Sequence, residues 1–184
     1  MSVRLYRKED LPDLQRVCLE TCDDPHLKEN IPLLYLKYLD YFVSEEPEHV
    51  FVLTDESDEA QGYILCCADG KKFRELWRKK YFPILKHYGL KEILLQRHTL
   101  LETKFMEALH YPAHMHIDIS PKFQRKGGGL ELLTSLLANL KEDGIEGLYL
   151  GCGDANIAGN AFYRKNGFRV HHRYGGRTVY VIKC

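Results

Sequence analysis

Two stretches of this chain hold residues whose types and spacing could do chemistry. The first is KFQRKGGGLELL, Lys122–Leu133, where three consecutive glycines abut a leucine-rich helical pattern. Each glycine should cost about 1 kcal/mol relative to alanine inside a helix, so their place at a helix mouth needs a reason. A helix N-terminus leaves several backbone N–H groups unpaired and carries the positive end of the dipole. Such groups converging on one point bind a phosphate, and side chains there would hold the phosphate off. Gln124, Arg125 and Lys126, just before the glycines, add donors and positive charge. Two familiar phosphate loops are excluded. A nucleoside-triphosphate loop needs Gly-Lys-Ser/Thr where Gly129-Leu130-Glu131 stands. A dinucleotide fingerprint needs a third glycine where Leu132 stands.

The second stretch is AHMHIDIS, Ala113–Ser120. Met115, Ile117 and Ile119 alternate with His114, His116 and Asp118, so the period of a strand puts the last three on one face. An unbroken polar face on a central strand implies a cleft that holds water. Asp118 or His116 could take a proton there, directly or through water. Each could equally be a hydrogen-bonded structural residue. A His-x-His-x-Asp metal site is geometrically possible and would need both imidazoles to turn toward one ion. His171–His172 lacks ligand spacing and reads as structural.

Alternating strands and helices must position these residues. SVRLYR is a strand candidate, followed by a helix with Leu11, Leu14, Val17 and Cys18 on one face. A second helix is expected from Ile31 to Val43, with Asn30 as its cap and Pro32 in its first turn. HVFVLT and QGYILCCA read as strands joined by the acidic turn DESDEA, apolar enough for a sheet covered on both faces. Residues 70–110 form a basic, aromatic, largely helical insertion. Phe73, Leu76, Trp77, Tyr81 and Leu85 repeat helically, Pro83 should kink or end that helix, and Leu100–Leu109 is a second helical stretch. The strand AHMHIDIS and a helix with the stripe Leu130, Leu133, Leu136, Leu137 and Leu140 come next. GLYLGCG is a strand, Asn156–Asn166 a helix stopped by Gly167, and FRVHH and RTVYVIK the last strands.

The 184 residues suit one domain, residues 1–184, with a sizeable core. With 45% hydrophobic and 28% charged residues, the composition is that of an ordinary globular protein. No apolar run is long enough to span a bilayer, so no membrane partner is expected. MSVRLYRKED lacks the apolar core of a signal peptide. Six cysteines, none in a C-x-x-C pair, fit reduced thiols. The expected address is therefore the cytoplasm, with the nucleus as the alternative. The net charge of zero hides an asymmetry. Residues 1–70 hold 16 acids and 6 bases (net −10), 71–110 hold 4 and 10 (net +6), and 111–184 hold 6 and 10 (net +4). The half with the glycines is basic, which suits an anionic ligand. KKFRELWRKKYF mixes basic and aromatic residues, but reads as an amphipathic helix with a solvated basic face rather than a nucleic-acid surface.

The glycine loop resembles the pyrophosphate loop of GNAT superfamily N-acetyltransferases, Q/R-x-x-G-x-G/A, through Gln124, Gly127 and Gly129. A start at Arg125 would put Leu130 in the last place. The next helix carries a matching signature in Asn156, Gly159, Phe162, Tyr163, Gly167 and Phe168. The resemblance covers nearly the whole chain, with 70–110 as an enlargement. YPAHMHIDISPKFQRKGGG looks most like GNAT proteins related to the acetyltransferase-like domain of protein O-GlcNAcases.

The resemblance implies an α/β fold. A mixed, splayed central sheet of about seven strands carries helices on both faces and parts between the fourth and fifth strands. It implies acetyl-CoA as co-substrate, with Ile117 and Ile119 giving backbone contacts to pantetheine. Gln124, Arg125, Lys126, Gly127, Gly128 and Gly129 would hold the pyrophosphate, and Asn156 and Tyr163 would face the thioester. No metal is implied. Tyr163 would protonate the leaving thiolate, unless it is only a core aromatic. The activity implied is transfer of acetyl to a primary amine, on a small molecule or a peptide, by direct attack on the thioester. A catalytically inactive CoA-binding module is the alternative, and an interaction protein built on the basic insertion a third reading. The acids of ETCDDPHLKEN could attract a cationic amine.

Overall fold

A computed structural model describes all 184 residues. Seven strands form one sheet: β1 (Ser2–Leu5), β2 (Val50–Thr54), β3 (Ala60–Cys67), β4 (Ala113–Ile119), β5 (Gly147–Gly153), β6 (Arg169–Tyr174) and β7 (Arg177–Lys183). Their spatial order is β1-β2-β3-β4-β5-β7-β6, and every neighbour pair is antiparallel except β4–β5. That parallel pair needs a long crossover, supplied by the glycine loop and its helix. Both sheet faces are covered, as the near-continuous apolar runs of β2 and β3 require.

One face packs α1 (Leu11–Thr21), α2 (Pro25–Glu29), α3 (Ile31–Tyr38) and α4 (Asp40–Glu45) around Leu14, Val17, Leu34, Phe42 and Tyr63. The other packs α8 (Gly128–Glu142) and α9 (Ile157–Lys165) around Leu132, Leu136, Met115 and Tyr180. The insertion supplies α5 (Gly70–Leu76), α6 (Phe82–Leu85) and α7 (Leu90–Ala108), which join the first face.

Several elements depart from expectation. The helix expected over Ile31–Val43 is two, broken at Leu39, where φ is −123°. Asn30 does not cap it with its side chain; its Nδ2 donates back to the His26 carbonyl at 2.9 Å. The helical run does not end at Pro83 but continues to Leu85. A π-turn over Trp77–Tyr81 closes with Phe82 N–H donating to the Trp77 carbonyl, and the wider turn carries the chain into α6 with Pro83 in its first turn. In α8, Leu130 is exposed and Leu132 takes its buried place.

The largest departure is α7, which starts ten residues before the expected Leu100. Its inward positions are Glu92, Gln96, Leu100, Glu102, Thr103 and Met106, while Leu90, Leu94, Leu101 and Phe105 face outward. The pattern is helical but inverted, so apolar periodicity does not find it.

Gly62 of β3 lies opposite Ile119, and a Cβ there would stand 2.8 Å from Ile119 Cγ1 and 3.0 Å from the Asp118 carbonyl oxygen. The bare backbone lets β3 approach the strand that carries the polar residues. Gly62→Ala should lower stability by about 1–3 kcal/mol through overpacking. Urea denaturation checks this; parent stability would mean that the strand pair absorbs a methyl freely.

Candidate active site

The site begins where β4 and β5 part. They pair only at Ala113–Leu148 and His114–Tyr149. Beyond that, β4 stays with β3 through Ile119 while β5 stays with β7 through Gly153. Ser120 N–H donates to the Gln61 carbonyl at 2.9 Å, toward β3. Strand alternation then turns the backbone groups of Ile117 and Ile119 the other way, into the gap.

At the end of β4 the chain turns through a 3₁₀ turn, Pro121–Phe123, into the glycine loop. Gln124 Nε2 donates to the Ile119 carbonyl at 2.8 Å, so its side chain ties the loop to the strand end. Arg125 has φ +60° and Gly127 φ +93°. Arg125 holds a left-handed conformation that side chains rarely adopt, and such residues next to ordinary ones form anion-binding nests. The N–H groups from Gln124 to Gly129 have no acceptor within the protein. They open α8, so its dipole adds to them. Arg125 and Lys126 are exposed, the latter with Nζ 5.1 Å from the Phe123 ring centre.

The three glycines answer different constraints. Gly127 needs its positive φ. A Cβ on Gly128 would fall on the Leu53 side chain, so this glycine lets α8 settle on β2. A Cβ on Gly129 would meet Phe162 at 3.3 Å and Ile119 at 3.6 Å, between the loop and α9.

Two cavities of about 330 Å³ each open along the gap and share Tyr38, Met115, His116, Leu150, Gly151 and Gly153. One is bordered by Asp118, Ile117, Asn156 and Tyr163, with Asp23 and Asp24 from the loop after α1. The other reaches the base of the gap at His114 and Tyr149 and is closed by Lys37, Gln96, Thr99, Glu102 and Arg177.

Burial sets the ionisation here. His114 is pushed down to about 3, by burial first and then by the charges of His116 and Arg177. His116 is pushed down to about 4 by burial and Arg177. Both imidazoles are therefore neutral at physiological pH. His114 packs edge-on to Phe42 and Phe73. Asp118 moves the opposite way, up to about 6, because burial disfavours its charge. Tyr63 limits the rise, its Oη donating to Asp118 Oδ2 at 2.9 Å. The His114 and His116 ring centres are 6.3 Å apart, and His114, His116 and Asp118 do not converge as metal ligands.

Tyr163 packs against Phe168 and Tyr180. Its hydroxyl has no partner within the protein, and burial raises its pKa, so it stays protonated. Asn156 borders the same cavity, but its Oδ1 accepts from Gly159 N–H at 2.8 Å and caps α9. A Cβ at Gly159 would collide with that cap.

Lys37, Gln96, Thr99, Glu102 and Arg177 were not singled out in the sequence. The signal that could have found three of them is the inverted pattern of α7. His171 and His172 stand outside the gap, Nδ1 to Nδ1 at 2.7 Å, on the edge strand β6.

The fold has well-matched counterparts. The crystal structure of SsHAT aligns over 99% of this chain and 97% of that one, with TM-score 0.84 and 28% identity. PaiA N-acetyltransferase from Thermoplasma acidophilum, solved in complex with coenzyme A, aligns over 100% and 98%, with TM-score 0.65 and 16% identity. The protein PH1933 from Pyrococcus horikoshii OT3 aligns over 100% and 98%, with TM-score 0.67 and 17% identity. The last two show the fold alone. Residues 9–168 match the acetyltransferase (GNAT) family. The match takes in the parted strands, the glycine loop and Tyr163, and the chain belongs to the GNAT acetyltransferase family and is an acyltransferase.

Proposed function

We propose that the protein transfers the acetyl group of acetyl-CoA to a primary amine by direct attack on the thioester. The observation that carries the proposal is one cavity bordered at once by Asp118, with a raised pKa, and by Tyr163, with an unpartnered phenol. A base and an acid whose environments suit opposite tasks are what amine acylation needs. A lysine-like ammonium has a pKa of about 10.4 and must lose a proton to become a nucleophile.

On this reading the free N–H groups of Gln124 to Gly129 hold the pyrophosphate, with Arg125 and Lys126 beside it. Gln124 acts through the strand end that it binds. Ile117 and Ile119 offer backbone groups to pantetheine, and Asn156 keeps the mouth of α9 in place. Acetyl-CoA supplies the activated acyl carbon. Asp118 takes the amine's proton directly or through water. It suits that role better than His116, because a base works best with a pKa nearer the working pH. Tyr163 gives its proton to the leaving sulfur. Among GNAT proteins, we infer kinship with those related to the acetyltransferase-like domain of O-GlcNAcases, supported by the segment Tyr111–Gly129.

Gly129→Val should weaken acetyl-CoA binding at least about ten-fold, because its side chain must enter the crowded space between the loop, Phe162 and Ile119. Calorimetry on the folded variant checks this, and unchanged affinity would remove the loop from the binding site.

Tyr163→Phe keeps the ring and removes the hydroxyl. Turnover should fall about 100-fold, within the usual range for general acids, with acetyl-CoA affinity and melting temperature nearly unchanged. A parent rate under chemistry-limited conditions would make the phenol only packing. Loss of folding or of CoA binding would favour the inactive module.

Asp118→Asn should lower turnover about 10²–10⁴-fold and abolish the acid limb of kcat/KM near pH 6. The same change should stabilise the protein. A folded-state pKa raised from 3.8 to about 6 means that the native state holds its proton longer than the unfolded chain does. Asp118 therefore costs stability as pH rises from about 4 to 6, and the cost persists above. The variant's advantage should grow through that window to about 1–3 kcal/mol and then level off. Denaturation at a series of pH values reads it. An unchanged pH–rate profile would place the base elsewhere.

A further inference from the structure

The cavity at the base of the gap divides its polar groups into two sets. Every charged group in its wall is already matched. Lys37 Nζ donates to Glu92 Oε2 at 2.7 Å. Glu102 accepts from Tyr174 Oη at 2.9 Å and lies 3.3 Å from Arg177 Nη1. Two neutral groups are committed as well. Thr99 Oγ1 donates to the Leu95 carbonyl at 3.4 Å, and Tyr149 Oη to Thr103 Oγ1 at 3.1 Å.

The second set is uncharged and uncommitted. Gln96, only 5% exposed, lines the cavity, and its amide makes no hydrogen bond within the protein. His114 is 6% exposed, and its Nδ1 has no partner. Burial holds His114 and His116 neutral, so neither offers a charge. A carboxamide side chain has two donors and two acceptor positions, and leaving them unmet in a buried place is costly. Water fills a polar space of this size, and a ligand that displaces such water must reproduce its hydrogen bonds or lose affinity. A methyl group cannot do so. An ionised group brings a charge for which the wall holds no free counter-charge.

The place of this cavity says which part of a ligand it would hold. His114 precedes Asp118 by four residues on the same face of β4, about 13 Å along the strand. Lys37 of α3 and Gln96, Thr99 and Glu102 of α7 close the far side. A molecule with its amine at Asp118 therefore ends in this cavity rather than passing through it.

We propose that the amine acceptor is a small molecule whose far end is an uncharged group that both donates and accepts hydrogen bonds, a carboxamide or a hydroxyl, and that Gln96 receives it in the cavity shared with His114. The inference rests on the acetyl-transfer reading for which end reacts. Gln96 meets a carboxamide at two points, donor to carbonyl and carbonyl to donor, and a hydroxyl through its single oxygen. The inverted pattern of α7 is what turns this amide inward.

The test is a panel of primary amines with chains of about four to ten bonds, since ten bonds at about 1.2 Å each span the distance from Asp118 to His114. Each length is made with a carboxamide, hydroxyl, methyl, carboxylate or ammonium at the far end and assayed with acetyl-CoA and a readout of free CoA. At the best length the carboxamide or the hydroxyl should exceed the methyl and both charged members in kcat/KM by about ten- to hundred-fold, and the order of those two tells which group the site takes. Gln96→Met keeps the length of the side chain and removes the amide, and it should bring the polar and methyl members within about two-fold. Gln96→Glu keeps the size and adds a carboxylate, and it should move the preference toward the ammonium-ended member, which reads the contact even if Gln96→Met does not fold. Turnover with the methyl or a charged member preferred would overturn the inference and leave the transfer reading standing. So would a polar preference that survives both substitutions. If no amine turns over, titration of the panel into CoA-loaded protein reads the same order. Tighter binding of the neutral polar members supports the subsite even as the transfer reading fails, and equal or absent binding overturns it.

Discussion

The structure depends on one constraint, the end of hydrogen bonding between β4 and β5 after His114–Tyr149. A parallel strand pair in the middle of a covered sheet would ordinarily continue, because unpaired backbone groups in a dry interior are costly. Here the two strands separate, and their freed edges are left to water or a ligand. Everything chemical in the chain is arranged along that opening. The glycine loop follows the far end of β4, α9 follows β5, and the basal cavity lies where the strands meet. The flanking pairs β3–β4 and β5–β7 hold their registers without interruption, so the opening is bounded on both sides by continuous strand pairing.

The same low dielectric acts on the three polar residues of β4 with opposite signs. Burial removes the charge from His114 and His116 and makes the charge on Asp118 harder to form. Arg177 deepens the first effect, since a second positive charge disfavours protonated imidazole. It does not relieve Asp118, whose partner is the neutral phenol of Tyr63. A cation at one end of the gap and a hydrogen-bond donor at the other thus separate three groups that strand alternation alone leaves equivalent. The buried pair Lys37–Glu92 belongs to the same arrangement. Its desolvation cancels much of its attraction, so its contribution is to orient α3 against α7 rather than to add much stability.

The sheet, the glycine-loop helix and the signature helix α9 were legible because each carries a local signal. Strand alternation exposes His114, His116 and Asp118 as a set, and the glycine run marks a helix mouth. The insertion was legible only as helical. Periodicity reading assumes that apolar residues point inward, and in α7 it is Glu92, Gln96 and Glu102 that do. Pro83 misled for a related reason. The rule that proline breaks a helix holds for its interior, and Pro83 stands just past the π-turn in the first turn of α6, where a missing N–H is tolerated. Asn156 and Gln124 were read as ligand contacts from their place in motifs. Gln124 Nε2 and Asn156 Oδ1 hold the Ile119 carbonyl and Gly159 N–H, so both side chains also shape the site's backbone. A side chain's own hydrogen-bond partner is the information a motif does not contain.

The three glycines show how far one run of identical residues can conceal separate causes. Their summed propensity cost, about 3 kcal/mol if all lay inside a helix, would be excessive for a purpose that one of them could serve. The cost is smaller at the first turn, where the backbone is less constrained, and each position gains something different. At Gly127 the left-handed conformation turns the chain into α8 with its carbonyl accepting from Leu130 and Glu131. At Gly128 the missing methyl admits Leu53, which fastens the mouth of the helix to β2. At Gly129 it keeps Phe162 of α9 close to Ile119 of β4. Two of the three glycines therefore fix where the N–H groups sit, by drawing the helix against the sheet and α9 against the loop. An anion site made of backbone dipoles has no side chain to adjust, so its geometry is only as good as the packing behind it.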